Sequence, residues 1–126
     1  MGRQIAWTGE RVTVCYSGHC TEANVLEAVK ELQSDYRFDS THQALHDFRQ
    51  CKSLSPSPEH LEEIAVHNIG AARYMSRLKI AVLANRPDVL AMVERFNGLG
   101  LNPYPLRTFE NSESANAWLD SPPLSL

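Results

Sequence analysis

A chain of 126 residues, 43% hydrophobic and 21% charged, is long enough to fold as one domain that buries roughly two-thirds of its unfolded surface, without disulfide or metal staples. A net charge of -3 with scattered Lys and Arg excludes the basic stripe of a nucleic-acid binder and the polybasic segment of an anionic-lipid binder. No apolar run approaches the ~20 residues of a membrane span, and Met-Gly-Arg-Gln-Ile-Ala-Trp is no signal peptide, so Cys15, Cys20 and Cys51 are expected as reduced thiols of a cytosolic protein.

Residues 4–7 and 11–16 are short alternating runs around Thr8-Gly9-Glu10, which predicts an antiparallel hairpin with Val12 and Val14 on one face and Thr13 and Cys15 on the other. After Ser17-Gly18-His19-Cys20, read as a loop, Thr21 is a candidate N-cap. Val25, Ala28, Val29 and Leu32 then repeat at helical spacing through residues 23–33. A polar connection leads to a third strand over residues 42–48, and a loop is expected over 49–56.

Ser57-Pro58-Glu59 starts a second helix, with serine as N-cap and proline at the first helical position. Leu61, Ile64, Ala65, Asn68, Ala72 and Met75 share one of its faces, and Gly70 within it predicts close packing on a neighbour. Residues 77–84 are apolar at nearly every position, which marks an interior strand covered on both faces. Leu78, Ile80 and Val82 form its bulkier face, where the main helical layer should lie.

Pro87 opens a third helix carrying Val89, Leu90, Met92, Val93 and Phe96, with Gly98 past its end. Residues 104–109 form a fifth strand, with Pro105 suited to a sheet edge. Asn111 or Ser112 caps a last helix holding Ala115, Ala117, Trp118 and Leu119. The element order is ββαβαβαβα in an α/β mixed five-stranded sheet, with one domain over residues 1–120 and a tail over 121–126.

That order, with Arg77-Leu-Lys-Ile-Ala-Val-Leu-Ala before a helix and Thr108-Phe-Glu-Asn-Ser-Glu-Ser-Ala-Asn-Ala-Trp-Leu119 at the end, resembles the SpoIIAA-like branch of the STAS and SEC14-like superfamily of small, mostly uncharacterised bacterial proteins. The resemblance covers nearly the whole chain and implies a β-α superhelix with helices mainly on one face of the sheet. In the anti-sigma-factor antagonists of this superfamily a third strand ends in aspartate, and a later loop carries a phosphorylated serine. Asp47 can stand for the strand end, while the acceptor position falls near Pro56, leaving Ser55 and Ser57 as its neighbours.

Cys15, His19 and Cys20 are metal-capable types within six residues, but a structural zinc site wants four ligands in paired close spacings and no second pair follows. No metal or cofactor is therefore expected. Cys51 could be drawn as a nucleophile with His46 and Asp47, yet adjacent strand residues point to opposite faces. Glu59, Glu62 and Glu63 complement the positive end of the second helix, which accounts for them without catalysis.

In open α/β sheets ligands bind beyond the carboxyl ends of the parallel strands. Here those ends carry His19, Asp47, Arg49, Asn85 and Arg86 near three helix N-termini. The two arginines either receive an anion, a phosphoserine or an acidic partner, or simply pair with Asp47 and Asp88. The leading expectation is a non-enzymatic domain that binds a protein partner or small ligand at this rim. The alternatives are a carrier of a small apolar or lipid-like ligand, marked by an apolar cavity between sheet and helices, and a small Cys/His enzyme. A homodimer through the leaner sheet face or an edge strand is a further expectation.

Overall fold

In the computed structural model, residues 2–122 are described. The expected C-terminal tail lies, past residue 122, outside the described residues. Strands β1 (Gly2–Thr8) and β2 (Arg11–Thr21) pair antiparallel, with Ile5 opposite Val14 and Trp7 opposite Val12. Their turn passes through Gly9 at φ 59, a left-handed conformation that glycine adopts without Cβ strain.

Helix α1 (Glu22–Ser34) starts at a reciprocal cap: Asn24 N–H donates to Thr21 Oγ1 at 3.1 Å, and Thr21 N–H donates to Asn24 Oδ1 at 2.8 Å. A single 3-10 turn, Tyr36–Ser40, leads into β3 (Gln43–Ser55). Helix α2 (Pro58–Ala71), strand β4 (Lys79–Leu83), helix α3 (Pro87–Gly98), strand β5 (Leu106–Phe109) and helix α4 (Ser112–Asp120) complete the expected order. The strands lie in the order β1-β2-β3-β4-β5, parallel after the first pair. The apolar run at 77–84 is thus interior, between β3 and β5.

Strand alternation divides the core in two. Val12, Val14, Tyr16, Ala44, Phe48, Ile80 and Val82 face one side and pack with the apolar stripes of α1, α2 and α3. Val12, Val14 and Val89 are fully excluded from water, which contributes roughly 1.5–3 kcal/mol each. Leu45, Ala81 and Leu83 face the other side and are covered by Ala115 and Leu119 of α4. Arg11 ties that helix to the sheet by donating to Asn116 and Asp120, both at 2.7 Å.

Two local expectations change. The loops expected at 17–20 and 49–56 are strand as far as residues 21 and 55: β2 and β3 continue together to Thr21 and Ser55, past the last β4 residue, Leu83, which pairs with Asp47. Two register shifts, between Cys15 and Ser17 and between Gly18 and His19, bend this overhang, and Gly18 sits at φ 76. Polar residues suit it because water faces much of its surface, while Cys20, Cys51 and Leu54 turn into the main core. Gly70 is exposed and a Cβ there would meet nothing within 4 Å, so it marks no close packing. No helix among the described residues is long and apolar enough to cross a membrane.

Candidate functional site

Where β4 ends, the outer edge of β3 has no strand beside it, and two aspartates serve that edge instead. Asp47 Oδ1 accepts from the Arg49 N–H at 3.0 Å, and Asp88 Oδ2, in the first turn of α3, accepts from the Leu54 N–H at 3.0 Å. Buried polar backbone needs such partners. Each carboxylate is then gripped by an arginine: Arg49 Nε and Nη2 reach Asp47 at 3.1 and 2.9 Å, and Arg86 Nε and Nη2 reach Asp88 at 3.0 Å each. The Arg86 guanidinium, helped by the Leu54 and Val89 N–H groups, holds Asp88 below the usual carboxylate range. Both arginines thus make the aspartate pairs weighed from the sequence, yet their side chains stay 45% and 38% exposed.

The overhang gathers a second group at its tip. His19 Nδ1 pairs with Ser53 Oγ at 2.8 Å, and Ser53 adjoins Leu54, which the Asp88–Arg86 pair holds. Ser55 is exposed at the end of β3. Ser57 is the N-cap residue of α2, but its hydroxyl makes no capping bond and pairs with Nδ1 of His60. Its N–H donates to Glu22 Oε1 at 2.8 Å. Glu22 is completely buried, and both terminal nitrogens of Arg95 reach its two oxygens, so the start of α1, the start of α2 and the last turn of α3 meet at one carboxylate.

His19, Arg86, Ser55 and Ser57 therefore belong to one end of the molecule, with Asn85 exposed beside Arg86. Asp47 and Arg49 form a closed pair at the base of the overhang, on the sheet face opposite His46 and roughly 25 Å of strand from Ser55. His60, Glu22 and Arg95 were not singled out from the sequence. The Ser57–His60 spacing carries a signal, since a side chain three residues after the N-cap reaches back to it. Glu22 and Arg95 are 73 residues apart and carry none.

The thiols serve other neighbours. Cys51 donates to the Ser53 carbonyl at 3.1 Å. Burial, with the Cys51 thiol beside it, pushes Cys20 up to about 11, and burial followed by the Asp47 charge raises Cys15. His46 turns away from Asp47 into the main core, where its Nδ1 meets the Tyr16 hydroxyl at 2.8 Å. Among the described residues no three His, Cys, Asp or Glu side chains are placed to hold one metal ion.

No protein-family model and no curated protein matches the sequence. Solved structures do. The anti-sigma factor antagonist SpoIIAA in its unphosphorylated form matches with a TM-score of 0.58 at 11% identity, over 92% of this chain and 94% of that one. The Bacillus cell fate determinant SpoIIAA in the phosphorylated form matches at 0.56 and 16% identity, over 93% and 99%. An uncharacterised DUF3478 protein with a SpoIIAA-like fold from Shewanella loihica PV-4 matches at 0.53 and 16% identity, over 94% and 92%. The resemblance read from the sequence and the superposition agree: the chain has the SpoIIAA-like STAS fold.

Proposed function

With the SpoIIAA-like fold as premise, we propose that this chain is a non-enzymatic cytosolic regulatory domain that binds a protein partner at the end of the molecule carrying His19, Asn85 and Arg86, apart from the Asp47–Arg49 pair at the base of the overhang, and that phosphoryl transfer to Ser57 sets whether it binds. The observation that carries the reading is the Ser57 hydroxyl. It stands at a helix N-terminus, partly exposed, committed to a histidine ring rather than to the helix it begins. A phosphoryl group there gains the positive end of α2 and the His60 ring, and puts about two negative charges next to the partner surface.

Two solved neighbours are the unphosphorylated and phosphorylated forms of SpoIIAA, which gives the reading its precedent in this fold. Arg86 supports the assignment, because it spends Nε and Nη2 on Asp88 and, among the described residues, keeps Nη1 for an acidic partner. The test is intact-protein mass spectrometry of the chain recovered from its source cells under phosphatase inhibition. A phosphate increment that disappears in Ser57→Ala and persists in Ser55→Ala supports the reading. An increment that follows Ser55, or an unmodified protein after incubation of the source lysate with ATP, overturns it.

A further inference from the structure

The main core is not completely filled. Between the sheet and α1, α2 and α3 lies a cavity of about 70 Å³, lined almost entirely by aliphatic and aromatic side chains, among them Val29, Ile64, Val82, Met92 and Phe96. On the scale where one water needs about 10–15 Å³, it has room for roughly five heavy atoms. Its mostly apolar lining offers dispersion contacts to whatever enters.

Three polar side chains interrupt that lining: Gln33 and Asn68, which bond to each other, and His46. His46 lines the cavity, and its ring is neutral, because burial alone lowers its pKa to about 4. Its Nδ1 meets the Tyr16 hydroxyl, and that hydroxyl is itself neutral, burial having pushed it far above its ordinary range. The phenol proton has no other acceptor among the described residues, so Tyr16 donates to Nδ1 and the imidazole proton sits on Nε2. Nε2 makes no hydrogen bond among the described residues, whereas every fully enclosed side-chain nitrogen and oxygen there has a partner. Nε2 therefore keeps accessible surface, and His46 is among the residues that line the cavity.

We propose that this cavity is a binding site for a small neutral carbonyl compound of about five heavy atoms, its alkyl part against the aliphatic wall and its oxygen accepting from His46 Nε2–H. An N–H donor in a largely apolar hole is a directional handle: an oxygen acceptor satisfies it, and a hydrocarbon of the same shape leaves it bare. The site is separate from the overhang and stands whether or not Ser57 is modified.

The test pairs 2-butanone with 2-methyl-1-butene, which replaces the carbonyl oxygen by a methylene group. Both are titrated into the labelled full chain, following the methyl resonances of Val29, Ile64 and Val82 and the ring nitrogens of His46. The expected result is that butanone alone shifts the Nε2–H signal, and that the ratio of the two affinities falls about fivefold to tenfold in His46→Phe. An unchanged ratio, or an Nε2–H signal that ignores butanone while the methyls respond, overturns the role of His46. Methyl signals indifferent to both compounds up to their solubility limits overturn the site. Should His46→Phe fail to fold, the Nε2–H shift in the unaltered chain decides.

Discussion

Replacing His46 by asparagine removes a titratable ring from the core while leaving an acceptor for the Tyr16 hydroxyl. In the unfolded chain this imidazole titrates near 6.5, and in the fold near 4. Between those values the unfolded chain binds a proton that the folded chain refuses. The fold therefore holds its full stability above pH 6.5 and loses it as the pH falls toward 4. The loss amounts to about 2 kcal/mol at pH 5 and about 3 kcal/mol at pH 4. Side chains lining the cavity beside His46 carry no charge, and burial is the cause of its shift, so no neighbour distorts this window. Asp35, held down to about 2 chiefly by Arg37, and Asp88, lowered chiefly by Arg86, titrate below it. Urea unfolding of both proteins at pH 7, 6, 5 and 4 reads the effect, with His46→Asn flattening the acid slope whatever its stability at pH 7. Parallel slopes would refute a neutral buried imidazole.

Arg95→Ala strands the buried Glu22 carboxylate and should lower stability by about 3 kcal/mol in urea unfolding, with Glu22→Gln in the same background recovering part of the loss. Leu119→Ala empties the contact of α4 with β4 and should cost about 2–4 kcal/mol, while Ala117→Ser on the exposed side should change the midpoint little. Gly70→Ala, with open space around the new methyl inside a helix, should raise stability by about 0.5–1 kcal/mol. Gly18→Ala should lower it by about 1–2 kcal/mol, because φ 76 strains any residue with a Cβ.

Local chemistry made most of the fold legible. Thr21, Ser57-Pro58 and Asn111 announce helix starts, and the run at 77–84 announces a strand covered on two faces. The overhang was illegible for the converse reason. Past Asp47 the outer edge of β3 has no strand beside it, so its residues obey no strict alternation, and Ser-Gly-His and Gln-Cys-Lys-Ser look like loops. The rim arginines were visible together with their aspartate partners, because each pair is two residues apart. The carboxylate of Glu22 was hidden: at a helix start it reads as a solvated charge favoured by the dipole, and only a residue 73 positions away shows that it is buried. The cavity was equally hidden, since unfilled space is a property of how side chains meet and no single residue records it.

The overhang behaves as a beam held at both ends. At its base β2 and β3 are built into the sheet, and at its tip Leu54 is pinned to Asp88 while Ser57 is pinned to Glu22. A beam free at one end swings without disturbing its support. One held at both ends passes any load on its tip into the second support, which here is α3 through Asp88 and Arg95. That helix also forms one wall of the core cavity through Met92, Val93 and Phe96. The strand tips are thus tied, by way of the carboxylates of Asp88 and Glu22, to the helix that walls the core cavity.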